Sequence, residues 1–437
     1  MNYENLIEDY IDKYREEIIS SLCNLVRIPS VLDSADEKHP YGLQCARSLD
    51  FCEDLCKSKD LWTNNEDYIY VEAKLDPHAK GKSILFAAHA DVVPAEDENI
   101  YSPYGGEVVD NYIVGRGVVD DKGPLIAILY ALAFFKENNI SLKNNIGLFL
   151  GSNEEMGMDD LEHYLKLNPQ PDLGIAVDDD FPITNGEKGL IRFTLSGKKS
   201  KYIKEAISHG QPQRLKDNVC RIHTLDKIYE EVNNPNAVKD MILNLSQDKV
   251  QILDSLESNN ILLKVIEDIT GRIMNTYSRD EVSGETLLNI YKITSTDTDL
   301  IFHFDMRLPV STDENFVIAN LAAFAKKYGF ILTINKISPS YFISEDDEIV
   351  TLLTNLYNKH TNSQDKPYVM GACTYARLFE KGFGFGAGNP HEVKPFPKGH
   401  GAAHGPDEAH NIDVLMHAIK IYILGILELD NYFNNKI

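Results

Sequence analysis

Short apolar segments alternate with helical patterns in the first half of the chain, and this alternation constrains the fold more than any other feature. Residues 83–88, 146–151 and 173–177 have the length and composition of buried strands. An amphipathic helical pattern covers 6–25, and an apolar one rich in Ala and Leu covers 123–135. Because such alternation favours an α/β layer, we predict an α/β fold with a mixed, largely parallel sheet flanked by helices.

The length of the chain indicates more than one domain. At 437 residues the chain exceeds the roughly 250 to 300 residues at which single cores usually divide. The α/β pattern stops near Gly189, where strand patterns at 192–196 and 302–307 flank polar helical patterns through 239–269, and it returns after about Ser344. This interruption has the form of an inserted domain.

Where the α/β pattern resumes near the C-terminus, it contains two helical patterns, at 349–360 and 412–429. We therefore predict a discontinuous α/β domain made of residues 1–188 and 342–437. An inserted α+β domain is predicted at residues 189–341.

The charge balance excludes several classes of function. Asp and Glu total 67 against 43 Lys and Arg, which gives a net charge of −24, so the protein repels phosphate backbones and anionic lipids. We expect no nucleic-acid partner and no membrane partner. No apolar run of about 18 residues is present to span a bilayer, and the N-terminus lacks the features of a secretory signal. We therefore predict a cytoplasmic protein.

Polar side chains follow the predicted strands at the points where the strands end. His89 and Asp91 come at the end of the first strand, Glu154 and Glu155 follow the second, and Asp178 follows the third. Because the carboxyl ends of parallel strands meet at one edge of a sheet, we expect these side chains to gather there. A histidine and a carboxylate two residues apart point to the same side, so one can bind a metal ion while the other orients it.

The adjacent carboxylates Glu154 and Glu155 indicate a cation. Two buried like charges repel each other unless a cation lies beside them or one of them holds a proton. One glutamate can then bind the metal while its neighbour acts as a general base, which suits hydrolysis of an amide. Together with His89, Asp178 and His404 they form a nitrogen and oxygen ligand set suited to zinc, cobalt or manganese.

Six segments resemble, in this order, the motifs of the dinuclear zinc aminoacylase/carnosinase superfamily, and most closely its PepV-type dipeptidases. They are HADVVP, GRGVVDDKG, SNEEMG, DDDFPITNGEKG, GACTYARLFEKG and HGPDE. The resemblance covers most of residues 1–190 and 340–437. It implies that the α/β domain is catalytic, that the insert is a lid, and that the protein is a metal-dependent dipeptidase.

The resemblance also implies the ligands of two divalent metal ions, zinc in the first place. Asp120 would bridge the two ions. His89 and Asp178 would complete one site, and Glu155 and His404 would complete the other.

Further roles follow from the same resemblance. Asp91 would orient His89, and Glu154 would be the general base toward a water shared by the two ions. A cis peptide is implied between Asp120 and Asp121. Arg377, in the GACTYARLFEKG segment, would bind the terminal carboxylate of the substrate through its planar guanidinium. His410 is a second candidate for the role of His404, although a glutamate four residues later favours His404.

The chain departs from the PepV pattern at the lid histidine that stabilises the oxyanion. The matching segment, residues 276–280, contains no histidine, so Arg279, His209 or His223 would have to replace it. Three functions stay open: a dipeptidase, a deacylase of N-acyl amino acids, and a metal-binding protein with a diverged lid. The presence of Glu154 argues against the last of these. Because the predicted lid is long, we expect a monomer.

Overall fold

The computed structural model describes residues 3–95, 99–198, 268–296 and 298–435, together with Ile261 and Val265. The chain forms two compact units. The first comprises Met1–Asn185, Ile343–Tyr368 and Cys373–Ile437, and the second comprises Gly186–Phe342 and Val369–Ala372. The predicted helical pattern at 239–269 lies almost entirely outside the described residues, as do His209 and His223.

A mixed sheet forms the centre of the first unit. Its central strands are parallel and are, in order across the sheet, Asn145–Gly151, Ser83–His89, Leu173–Ala176 and Gly382–Gly384. Antiparallel strands flank them: Trp62–Glu66 and Tyr70–Lys74 on one side, and Thr184–Glu187 on the other. The prediction of an α/β fold with a mixed sheet is confirmed, and the parallel pairs are the central ones.

Helices cover this sheet. They are Glu4–Val26, Leu43–Ser58, Lys122–Glu137, Asp159–Leu167, Glu348–Thr361 and Ile412–Asn434, with a short 3₁₀ helix at Tyr375–Leu378. The helix Lys122–Glu137 is buried from Lys122 to Phe135 because it packs against both the first and the last helix of the chain. Each large aliphatic side chain buried there contributes about 1.5–3 kcal/mol, which explains why this segment is apolar on every face.

The register of the parallel strands brings their carboxyl ends level. His89 lies opposite Gly151 of one neighbouring strand, and Ala87 lies opposite Ala176 of the other. Asp178, two residues beyond Ala176, therefore leaves the sheet at the level of His89. The sheet thus brings three chain segments together at one edge, as the sequence predicts.

A small antiparallel sheet holds two more segments of the first unit. Its strands are Ala409–Asn411, Tyr112–Val114 and Glu107–Val109, in that order. Ala409 pairs with Val114. Consequently the segment that follows Val114, which carries Asp120, is anchored beside the segment that precedes Ala409, which carries His404.

The second unit contains a four-stranded antiparallel sheet and one described long helix. The strands are, in order, Leu287–Ser295, Asp299–Leu308, Gly189–Lys198 and Ile331–Ser338, and the helix is Glu314–Tyr328. This helix is capped at both ends. The Asp313 side chain accepts a hydrogen bond from the Asn315 N–H at its start, and Gly329 adopts a left-handed conformation at its end. The short strands Arg279–Asp280 and Gly284–Glu285 pair with each other. Two more short strands, Tyr341–Phe342 and Tyr368–Met370, pair with Thr184–Glu187 and belong to the large mixed sheet.

We find no helix in the described part of the chain that has the length and apolar character needed to cross a membrane.

Candidate metal centre

His89 lies at the end of its strand and is completely buried. Its Nδ1 is 3.1 Å from the Asp91 carbonyl oxygen, which fixes the hydrogen on Nδ1 and leaves the lone pair on Nε2. That Nε2 is 3.1 Å from Asp120 Oδ1 and 3.6 Å from Asp178 Oδ2. The imidazole therefore presents its basic nitrogen to two carboxylates, as a histidine ligand of a metal does.

The five side chains predicted to bind metal, together with the predicted general base Glu154, gather into two groups of three. His89, Glu154 and Asp178 form one group, and Asp120, Glu155 and His404 form the other; within each group the candidate ligand atoms lie within 4.8 Å of one another. His404 Nε2 is 2.8 Å from Asp120 Oδ2 and 2.9 Å from Glu155 Oε1. All six residues belong to the first unit.

Asp120 connects the two groups. Its Oδ1 faces His89 and its Oδ2 faces His404, so each carboxylate oxygen is directed to a different group. This is the arrangement that a bridging carboxylate requires. The peptide bond between Asp120 and Asp121 is cis, as the resemblance implies, and Asp121 Oδ2 accepts a hydrogen bond from the His89 backbone N–H over 3.0 Å.

The chemistry of these side chains fits two divalent cations. His89 Nε2, Asp120 Oδ1 and Glu154 Oε1 are buried, and none of the described residues makes a hydrogen bond to them. Buried polar atoms of this kind are costly unless something satisfies them. Four carboxylates and two imidazoles offer the oxygen and nitrogen donors that zinc, cobalt and manganese accept. A pair of cations would both satisfy these atoms and offset the repulsion among the carboxylates.

Burial governs the electrostatics of the carboxylates. It raises the pKa of Glu154 well above its usual value, and the charges of Asp178, Glu155 and Asp120 raise it further against the opposing effect of His89. Burial, followed by the charge of Asp120, raises the pKa of Asp178 to about 6. A carboxylate whose pKa is raised in this way takes up a proton readily near neutral pH, which is what a general base requires.

The pKa values of His89 and His404 are raised, although burial by itself lowers the pKa of a histidine. Burial alone would lower the pKa of His89, but its contacts with Asp120, Asp178 and Asp91 outweigh that effect and raise the pKa well above its usual value. The pKa of His404 is raised in the same way by Glu155 and Asp120. Both imidazoles therefore lie in a strongly negative field, which also attracts metal cations.

Asp91 supports both the histidine and the glutamate loop. Its carboxylate is 3.4 Å from His89 Nδ1. The same carboxylate accepts hydrogen bonds from the backbone N–H groups of Glu154 and Glu155, over 3.3 Å and 3.2 Å. One buried side chain thus orients a ligand from the first strand and fixes the loop after the second.

The structure distinguishes between His404 and His410. His404 contacts Asp120 and Glu155, whereas His410 is buried with its Nδ1 3.1 Å from the Asn411 carbonyl oxygen. Burial, followed by the charge of Lys394, lowers the pKa of His410 to about 4. His404 is therefore the histidine that joins the cluster.

Two other predicted site residues lie on different elements. Arg377 is part of the 3₁₀ helix Tyr375–Leu378 and contacts the Cys373 thiol through Nη1. Arg279 is an exposed residue of a short strand in the second unit. Their predicted roles toward a substrate remain predictions.

A buried pair to which the sequence pattern assigns no role, Arg116 and Glu408, holds the loops that carry Asp120 and His404. Glu408 Oε1 accepts hydrogen bonds from the backbone N–H groups of Val119 and Asp120. Its Oε2 accepts from the Arg116 guanidinium and from the Gly117 backbone N–H. Arg116 also donates to the His404 carbonyl oxygen over 3.0 Å. An arginine within the otherwise uncharged GRGVV segment is a signal that could have drawn attention to Arg116, although it does not indicate its partner.

Comparison with known proteins agrees with this fold. Human carnosine dipeptidase 1 has a similar structure, with a TM-score of 0.68 at 16% identity over 99% of both chains. The M20 family metallo-carboxypeptidase Sso-CP2 of Sulfolobus solfataricus gives a TM-score of 0.62 at 19% identity, over 95% of this chain and 99% of that one.

Sequence comparison extends over nearly the whole chain. The Staphylococcus aureus (strain bovine RF122 / ET3-1) protein named "Putative dipeptidase SAB1611c" is 26% identical over 479 aligned positions, which cover 97% of this chain and 99% of that protein. The model of Peptidase family M20/M25/M40 matches residues 85–428. This match covers most of the chain, including both groups of candidate ligands and the second unit, and the chain therefore belongs to peptidase family M20/M25/M40.

Proposed function

We propose that this M20 peptidase is a dipeptidase of the PepV type that uses two divalent metal ions, zinc in the first place, to hydrolyse small dipeptides. The observation that carries the proposal is the geometry of Asp120, with one carboxylate oxygen toward each three-residue group. The name of the Staphylococcus aureus relative supports dipeptides as the substrate class.

The residues divide between binding and proton transfer. His89 and Asp178 would hold one ion, Glu155 and His404 the other, and Asp120 both. When bound, the two ions supply Lewis acidity, which acidifies water and polarises a scissile carbonyl. Glu154 removes the proton from the attacking water and returns it to the nitrogen of the leaving amine.

Glu154 is assigned to the base and Glu155 to the metal because of their surroundings. Glu155 Oε1 is 2.9 Å from the Nε2 of His404, so it is already paired with a fellow candidate ligand. Glu154 Oε1 is buried and receives no hydrogen bond from a described residue. Burial raises the pKa of both glutamates, but it raises that of Glu154 well above its usual value, so Glu154 is the better proton carrier of the two.

Recognition of the substrate is proposed to involve Arg377. Its planar guanidinium suits the terminal carboxylate of a dipeptide, and it lies in the same 3₁₀ helix as Tyr375, whose ring meets that of His89 edge-on with 6.3 Å between centroids. This places the helix that carries Arg377 against a proposed metal ligand. A lid at residues 189–341, a monomeric state and a cytoplasmic location belong to the same proposal.

An N-acyl amino acid deacylase is the second candidate. It would share the metal centre and the carboxylate contact but would have no need for a free substrate amine. The choice between the two therefore depends on how the enzyme treats the amino end of the substrate.

The test is a substrate panel assayed with protein loaded separately with zinc, cobalt and manganese. The panel contains L-dipeptides, the same dipeptides with an acetylated amine, N-acetyl amino acids and a tripeptide. We expect turnover of free dipeptides alone, complete loss with EDTA, and loss in Glu154→Gln with its metal content unchanged. Glu162→Gln, which alters an exposed helix residue, is the matched control. Turnover of the acetylated compounds only would establish the deacylase, and no turnover with two metals bound would refute both candidates.

A further inference from the structure

Two buried carboxylates bind four consecutive backbone N–H groups in the loop that carries Glu154. Asp160 Oδ2 accepts from Ser152 and Asn153, over 2.7 Å and 2.8 Å. Asp91 accepts from Glu154 and Glu155. The backbone of this loop is therefore held by two carboxylates. Asp160 is not a proposed metal ligand, so metal binding does not explain its presence here.

Asp160 is a costly residue to bury. It has no exposed surface, and burial, followed by the charge of Asp91, raises its pKa to about 6. Besides the two loop amides it accepts hydrogen bonds from the Leu161 N–H over 2.8 Å and from the Tyr375 hydroxyl over 2.6 Å. These four donors compensate for the lost hydration, as a buried carboxylate requires.

Tyr375 connects this carboxylate to the first metal-binding strand. The tyrosine is buried, with its ring perpendicular to those of His89 and Phe149. Gly151 leaves the space for this contact, because a Cβ there would collide with both the Tyr375 hydroxyl and Asp160 Oδ2. Gly151 is also the residue opposite His89 in the sheet. The hydroxyl, the carboxylate and the glycine thus form one unit beside the proposed site.

We propose that Tyr375 and Asp160 are positioning residues, which hold the Ser152–Glu155 backbone so that Glu154 keeps the orientation needed for proton transfer. The inference rests on the proposed function of Glu154 as the general base. Its physical basis is that a displacement of about 1 Å in a catalytic group can lower the rate roughly 100-fold. Tyr375 and Asp160 themselves need not touch the substrate to have this effect.

A purely structural role is the competing explanation, and the chain offers a matched control for it. Tyr164 is also buried, also packs against Phe149, and also donates to a buried carboxylate, that of Glu72, over 2.7 Å. The Glu72 side chain is paired with Lys74, and no hydrogen bond of the described residues joins it to the Ser152–Glu155 backbone. Tyr375→Phe and Tyr164→Phe therefore remove equivalent hydroxyls, one linked to the loop and one not.

The kinetic experiment compares these two variants on the preferred dipeptide. We expect Tyr375→Phe to lower kcat by about 10- to 100-fold with KM changed less than about 2-fold, and Tyr164→Phe to leave both near wild type. Asp160→Asn should resemble Tyr375→Phe, and the double variant should be no worse than the poorer single one. A rise in KM with kcat unchanged would mean that Tyr375 positions Arg377 for substrate binding and does not position Glu154. Equal effects of Tyr375→Phe and Tyr164→Phe would mean a structural role, and either result overturns the inference.

Two further measurements do not depend on turnover. Amide hydrogen exchange in Ser152–Glu155 should be at least about 10-fold faster in Tyr375→Phe than in wild type or Tyr164→Phe, because the Asp160 acceptor is loosened. Zinc affinity, measured by competition with a chromophoric chelator, should fall about 10- to 100-fold in Tyr375→Phe alone. Unchanged exchange and affinity would refute the inference even if wild type hydrolyses dipeptides. A wild type that hydrolyses nothing, with both changes observed, would refute only the proposed function.

Discussion

Arg116 donates to Glu408 over 2.7 Å, and both side chains are almost completely buried. Breaking such a pair leaves an uncompensated buried charge, which typically costs 3–5 kcal/mol. We therefore expect Glu408→Gln to lower the free energy of unfolding in urea by about 3–5 kcal/mol. Because Arg116 also holds the His404 carbonyl, zinc affinity should fall as well.

The control for this pair is an exposed one. Lys166 and Glu162 are 3.9 Å apart on a helix surface, with 72% and 50% of their side chains exposed. Glu162→Gln should change stability by less than about 0.5 kcal/mol. Similar losses in the two variants would contradict a special role for the Arg116–Glu408 pair.

Metal binding should stabilise the protein more at pH 7 than at pH 5. The pKa of Asp178 is raised to about 6 from 3.8, so without metal the fold binds more protons than the unfolded chain between these values. Stability is therefore lost as the pH rises through this window. A cation offsets the cost, and its affinity grows as the ligands lose protons. With free zinc at 100 times its dissociation constant, we expect a gain of about 2.7 kcal/mol.

Thermal unfolding with zinc and with EDTA at both pH values checks this expectation. His404→Ala should retain less than half of the zinc effect, because one predicted ligand is gone. Equal stabilisation of that variant and of wild type would place the metal elsewhere.

The strands that carry the site could be predicted because buried strands have an apolar local composition. Ser83–His89 and Asn145–Gly151 are buried along almost their whole length, so they appear in the sequence as apolar runs. The strand Tyr70–Lys74 was missed because it carries Glu72 at a buried position. That charge interrupts the apolar run, and it is accommodated by Lys74 and by Tyr164, which is 92 residues away.

The proposed metal ligands can be recognised in the sequence, whereas the buried residues that hold them in place cannot. His89 and Asp178 follow apolar strands directly, so local patterns reveal them. Tyr375 reaches Asp160 across 215 positions, and Arg116 reaches Glu408 across 292. Neither contact leaves a periodic signal in the sequence, and only the fold shows that these side chains meet.

His410 should make the protein sensitive to acid. Burial, followed by Lys394, lowers its pKa from 6.5 to about 4, so the unfolded chain takes up a proton in this window before the folded one does. Stability is therefore lost as the pH falls from 6.5 to 4, by about 3 kcal/mol for this one group. We expect His410→Gln to flatten the dependence of the unfolding free energy on pH by that amount.

Urea unfolding of wild type and variant in EDTA at several pH values isolates this contribution, since all other groups are common to both proteins. His391→Gln, at an exposed histidine, is the control for replacing a histidine with glutamine. Parallel profiles for wild type and His410→Gln would show that His410 is not held neutral by the fold.

Substrate recognition by Arg377 gives the last prediction. A lysine keeps the positive charge but not the planar fork that pairs with both oxygens of a carboxylate. Because a hydrogen bond to a charged group is worth about 1.5–3 kcal/mol, Arg377→Lys should raise KM for a dipeptide about 10- to 100-fold with kcat little changed. Wild type should also discriminate against the C-terminal amide of the same dipeptide, and the variant should lose most of that preference. Arg15→Lys, at a helix arginine paired with Asp413, should behave as wild type. A variant that still prefers the free acid as strongly as wild type would assign the carboxylate to another cation.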